Sequence, residues 1–147
     1  MQASVALGQK LLIVGGVLSL LAAVLHVAVI IGGPDWYRFF GAGEEMAKMA
    51  EQGKFYPGLV TIGIATILVV WAWFAFAGAG LLWAPPLLRT GLILISAIYL
   101  LRGLILLPML IFMPAQVNGF AVWSSLIVLL YGLFYAIGTW KAWPSLS

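Results

Sequence analysis

A chain of 147 residues that is 65% hydrophobic and only 7% charged is too apolar for a water-soluble domain, in which charged residues make up about 25%. It contains no cysteine, which excludes disulfides, thiolate metal sites, iron–sulfur clusters and cysteine nucleophiles. The net charge of +3 is scattered and offers no basic surface for nucleic acid, so the composition specifies a single multi-pass membrane domain spanning 1–147.

In chain order, apolar runs at about 11–31, 58–80, 88–109 and 120–140 each reach the roughly 20 residues that a helix needs to cross hydrocarbon. The first follows Lys10 and closes at Gly32-Gly33-Pro34. It is too long for a signal-peptide core and lacks a small-residue cleavage site, so it is expected to be retained. Segment 32–57 differs from the rest, holding all four acids (Asp35, Glu44, Glu45, Glu51) and three of the seven basic residues. Within it, Ala42 to Gln52 reads as a short amphipathic helix in which Glu44 and Lys48 pair across one turn. Asp35-Trp36-Tyr37-Arg38-Phe39-Phe40 has the composition of an aromatic belt at the interface. Pro57 opens the second span, Pro85-Pro86 precede the third, Pro108 lies near its end, and Lys141 and Pro144 follow the fourth. The expected fold is all-α: a four-transmembrane-helix bundle with a short amphipathic interfacial helix between helices 1 and 2.

Four spans place both termini on one side. That side carries Lys10, Arg89 and Lys141 and no acid, whereas the other carries the 32–57 hairpin. Basic residues tie at three on each side, and the acid-free flanks favour cytoplasmic termini. No long internal repeat is present, which counts against an inverted-repeat transporter within one chain.

Arg102 is the one charged residue deep inside a span, Arg89 standing at the very start of the third, and a guanidinium at mid-membrane costs roughly 2.5–3.5 kcal/mol on the mildest scale. From the 1.5 Å rise per residue, His26 and Arg102 lie roughly 7 and 10 Å below the hairpin-side boundary, with Thr61, Ser124 and Ser125 at similar depth. Small or polar stripes face one way on each span: Gly15, Ser19, Ala22, Ala23 and His26 on the first, and Thr61, Ala65, Leu68, Ala72 and Ala75 on the second. Ser96, Tyr99 and Arg102 follow on the third, and Ala121, Ser125, Gly132 and Thr139 on the fourth. Arg102, His26, Thr61, Tyr99, Ser124, Ser125 and Asp35 are therefore the candidate ligand-binding residues. Since no span contains an acid, a counter-ion for Arg102 is expected from Glu44, Glu45 or Asp35 of the hairpin. Three readings of Arg102 stand open: a structural salt bridge pinning the hairpin, the base of an anion-binding amphiphilic pocket, or a side chain reaching up to lipid phosphate.

No GxSxG, HExxH, P-loop or dinucleotide fingerprint is present. An enzyme built on this chain would rely on His26 with Glu44 or Glu45 acting on a lipophilic substrate. Met46, Met49, Met109 and Met113 with His26 would suit Cu(I), but methionine is also ordinary packing material, and neither metal nor cofactor is expected. A lone histidine excludes bis-histidine haem.

Leu25-His26 and Gly32-Gly33-Pro34-Asp35-Trp36, continuing loosely through Arg38-Phe39-Phe40-Gly41-Ala42-Gly43-Glu44 to Tyr56-Pro57, resemble small four-helix proteins of the bacterial inner membrane over about a fifth of the chain. The resemblance implies that location and carries no activity. The foremost functional expectation is binding of a small amphiphile (lipid, isoprenoid or quinone-like), with or without action on it. An accessory subunit of a larger membrane complex and a small dimeric transporter are the alternatives. The expected partners are thus the bilayer, a lipophilic ligand, and a second copy or a larger membrane complex.

Overall fold

The computed structural model describes residues 1–147 and is all-helical, with no strand. The helices are α1 (Gln2–Gly32), α2 (Pro34–Phe39), α3 (Glu44–Glu51), α4 (Tyr56–Gly78), α5 (Leu88–Leu104), α6 (Leu106–Phe112) and α7 (Gly119–Ala142), with short 3-10 turns at Pro114–Gln116 and Trp143–Ser145. Four segments are long and apolar enough to cross a bilayer: α1, α4, α5 together with α6, and α7 with the turn that follows it. Only 17% of the most apolar window of the fourth is buried by protein. A surface so rich in exposed Leu, Ile, Val and Trp is compatible with hydrocarbon as solvent and not with water.

Helix boundaries follow local chemistry. α1 begins nine residues before the expected span, because nothing between Gln2 and Lys10 stops a helix already under way. α4 ends in a Schellman turn: Gly80 takes φ +78°, its N–H donates to the Ala77 carbonyl, and the Leu81 N–H donates to the Phe76 carbonyl. The third span is interrupted at Ile105 between α5 and α6, because Pro108 has no N–H to offer the carbonyl of Leu104. α7 starts at Asn118, whose side chain accepts the Ala121 N–H at 2.8 Å.

The chain divides into two compact units. The first comprises residues 1–19 and 70–147 and contains parts of all four spans. Glycine lets its helices touch backbone to backbone. A Cβ on Gly8 of α1 would lie 2.8 Å from the Gly138 carbonyl of α7, and one on Gly103 of α5 would lie 2.8 Å from the Leu129 amide of α7. Small residues at crossings are the usual means of tight association in lipid, where apolar transfer supplies little drive between helices.

The second unit, residues 20–69, holds the end of α1, the hairpin and the start of α4. α2 was not anticipated as a helix, although Pro34 at its first turn is the position a helix start favours. Gly41 and Gly43, with φ of +75° and +98°, reverse the chain between α2 and α3 through conformations that side chains other than glycine resist. The reversal buries Tyr37 and Ala47 with Val29 of α1, and Phe40, Met46 and Ala50 pack around them. The expected amphipathic helix at 42–52 is α3.

Candidate functional site

In the second unit the electrostatic hub is Arg38. Its Nε and Nη2 donate to the two carboxylate oxygens of Glu44 at 2.9 Å each, Nη2 also donates to Glu51 at 2.6 Å, and Nη1 donates to Asp35 at 3.2 Å. The bidentate fork is the strong form of this interaction. Hydrogen bonding from Arg38 holds the Glu44 carboxyl below its ordinary value, and the same bonds raise Arg38 itself. Asp35 and Glu44, expected as counter-ions for Arg102, are thus both bonded to a guanidinium of their own unit. A local guanidinium three and six residues away takes both, and chain proximity makes that pairing entropically cheap. Glu45 is exposed and enters none of the ion pairs, all of which belong to Arg38.

The other candidates are distributed between the units. His26, half-buried in the second, donates from Nδ1 to the Ala22 carbonyl at 2.6 Å, which leaves Nε2 as the nitrogen available to a partner. Thr61 is buried and returns its hydroxyl to the Pro57 carbonyl at 2.7 Å. In the first unit Arg102 is exposed and donates from Nη1 to Ser125 Oγ at 3.3 Å. Ser124 bonds the Ala121 carbonyl at 3.4 Å.

Tyr99 belongs to a connected polar group in the first unit. Ser19 Oγ, fully buried, lies 2.7 Å from Tyr99 Oη and 2.8 Å from Tyr135 Oη, and Tyr135 donates to the Trp71 carbonyl at 3.0 Å. Because that carbonyl only accepts, the Tyr135 oxygen accepts from Ser19, and Ser19 accepts from Tyr99. The protons therefore run one way, Tyr99 to Ser19 to Tyr135 to Trp71, with one residue from each span. The Tyr99 ring meets Trp71 edge-on at 4.8 Å and Tyr131 at 5.5 Å. Ser19 was legible as a member of a small-residue stripe; its role as the junction was not, because the tyrosines lie 80 and 116 residues away.

The concave feature of the second unit is a groove of about 520 Å³ where the end of α1 approaches the start of α4. Ile30, Tyr37, Phe55, Leu59 and Ile62 supply apolar walls, Gly33, Gly53 and Gly58 open the space, and Lys54 stands among the lining residues. A Cβ on Gly58 would meet nothing within 4 Å, so that face of α4 is open. None of the candidate catalytic or ligand-binding residues lines it. Lys54 is exposed and has no carboxylate within ion-pairing distance, since Arg38 holds three of the hairpin's four acids. The available signal was the pair of turns Gly32-Gly33-Pro34 and Gly53-Lys54 with Pro57-Gly58, which remove side-chain bulk at the ends of two consecutive spans.

Four helices long and apolar enough to cross a bilayer, with an apolar surface, are compatible with an integral membrane protein of the all-helical class. Comparison with family models, curated proteins and solved structures gives no match.

Proposed function

We propose that this chain binds an anionic amphiphile in the groove of residues 30–62, with the head on Lys54 and the apolar body against Ile30, Leu59 and Ile62. The observation that carries the reading is the combination of apolar walls and a cation free of carboxylate partners. Position supports it as well. The groove forms where α1 ends and α4 begins, the level at which two successive spans meet the headgroup region. A volume of about 520 Å³ lies in the range of small-molecule sites and suits part of a lipid, one head and the start of a chain.

In this reading the protein resides in the bacterial inner membrane with the acid-free flanks Lys10, Arg89 and Lys141 on the cytoplasmic side and the hairpin outside. Arg89 sits 4.8 Å over the Trp143 ring and Lys141 5.7 Å over Trp140, pairs typical of an interface.

The test is native mass spectrometry of detergent-solubilised protein titrated with phosphatidylglycerol and with phosphatidylcholine. The wild type should retain phosphatidylglycerol preferentially. Gly58→Leu projects into the groove from a position where an added Cβ meets nothing within 4 Å and should abolish retention, while Lys54→Gln should erase the preference for the anionic lipid. Retention unchanged in Gly58→Leu would refute the assignment.

A further inference from the structure

The first unit contains no acidic side chain: Asp35, Glu44, Glu45 and Glu51 all fall within residues 20–69. Arg102 is exposed on that unit and bonded through a single nitrogen to a neutral hydroxyl, Ser125 Oγ. That side-chain bond uses one of five N–H donors, on a unit whose surface also exposes the apolar side chains Leu101, Ile105 and Trp123. That surface meets hydrocarbon, where an uncompensated guanidinium is not tolerated.

The geometry points to a membrane-lipid phosphodiester as the counter-ion of Arg102, drawn into the bilayer at the break between α5 and α6. Three features fit a phosphate. The guanidinium fork matches phosphate oxygens bidentately. Ser125, buried on α7, fixes one edge of the fork and leaves the other open. At the α5–α6 junction Ile105 keeps helical dihedrals, but Pro108 offers no N–H to the Leu104 carbonyl, so the site provides an acceptor for the water that accompanies a headgroup.

Depth adds a consequence. The Leu88–Phe112 span has 25 residues, about 37 Å of helix against a hydrocarbon core of about 30 Å. Centred, it puts the Arg102 backbone roughly 12 Å beneath the nearer boundary. Upward extension of the side chain covers part of that distance, and local thinning of the leaflet covers the remainder. The site is independent of the groove at Lys54, which belongs to the other unit.

The direct test uses the wild-type protein in phosphatidylglycerol–phosphatidylethanolamine vesicles prepared without phosphate buffer, with labelled arginine. The chain has only Arg38, Arg89 and Arg102, so Arg102→Lys assigns the third guanidinium signal. Solid-state dipolar recoupling between guanidinium carbon and phosphorus should dephase the Arg102 signal. Absence of that dephasing, with Arg89 at the interface dephased normally, would overturn the proposal; so would its persistence in vesicles of a phosphate-free glycolipid. In native mass spectrometry Arg102→Gln should lose one tightly held phospholipid per chain, while Arg102→Lys, which keeps the charge without the fork, should retain it more weakly than the wild type. Equal retention in both variants also overturns it. Loss in Gly58→Leu must add to this loss, which separates failure of one site from failure of the other.

Discussion

Replacing Ser19 with alanine tests the one-way hydroxyl chain most sharply, because the order of donors decides which variants hurt. In Ser19→Ala, Tyr135 keeps its bond to the Trp71 carbonyl, but the Tyr99 hydroxyl is left as a donor in a packed interior. A hydrogen bond between membrane helices averages about 0.6 kcal/mol, and a stranded buried donor costs about 1–3 kcal/mol more. The expected loss is about 2–3 kcal/mol. Tyr99→Phe removes a donor while Ser19 still donates to Tyr135, so the expected loss is about 0.6–1 kcal/mol. The double variant strands nothing and should be more stable than Ser19→Ala alone by at least about 1 kcal/mol. Equilibrium unfolding in mixed dodecylsulfate–maltoside micelles, followed by circular dichroism, measures all three. A double variant as unstable as the sum of the singles would refute both the direction of the chain and the claim that Tyr99 depends on Ser19.

Further outcomes follow from packing, charge and topology. Gly138→Ala places a methyl against Leu12, including its backbone nitrogen at 3.1 Å, and should lower stability by about 1–3 kcal/mol; Gly63→Ala, where a Cβ meets nothing within 4 Å, should be neutral or stabilising in the same unfolding assay. Asn118→Ala removes the cap of α7 and should cost about 1 kcal/mol, read as faster amide exchange at residues 119–122. Since Glu44 is held below its ordinary value by Arg38, its contribution to the hairpin is present at neutral pH and is lost as pH falls through that lowered value; proteolysis within 40–53 should accelerate as the medium is acidified past the ordinary carboxylate range, and Arg38→Ala should reproduce the effect at pH 7. Reporter fusions at residues 45 and 147 should report opposite sides of the membrane, and finding them on the same side would remove the four-span topology.

What could be read from the chain was what depends on runs and periodicity. The four spans and α3 appear close to their expected bounds except at the start of α1, because apolar length and Gly/Pro punctuation are local properties. Two local features were underused: Pro34 as a helix start, and Pro108 as an interruption rather than an end. Long-range pairing was not legible. Asp35 and Arg38 are three apart and could have been matched, but bringing Glu44 and Glu51 to the same guanidinium requires the left-handed turn at Gly41 and Gly43. Depth arguments assigned Arg102, His26, Thr61 and Ser125 to one layer, yet depth fixes only one coordinate of three. The groove at Lys54 stayed hidden because it is made by the absence of side chains.

The hydroxyl junction also imposes an order on assembly. Ser19 lies in the first span to emerge, and its two phenolic partners follow 80 and 116 residues later. At about 5–20 residues per second of synthesis, the first helix resides in the membrane for on the order of ten seconds before Tyr135 exists. Over that interval the Ser19 hydroxyl can turn back onto the Gly15 carbonyl of its own helix, as Ser96 does onto Leu92. Arrival of α7 releases that local bond and ties all four spans together at once, while Gly138 closes against the first helix. Completion of the bundle is therefore registered at the helix that was inserted first, and a nascent chain stalled after the third span presents Ser19 and Gly8 as an unfilled seam.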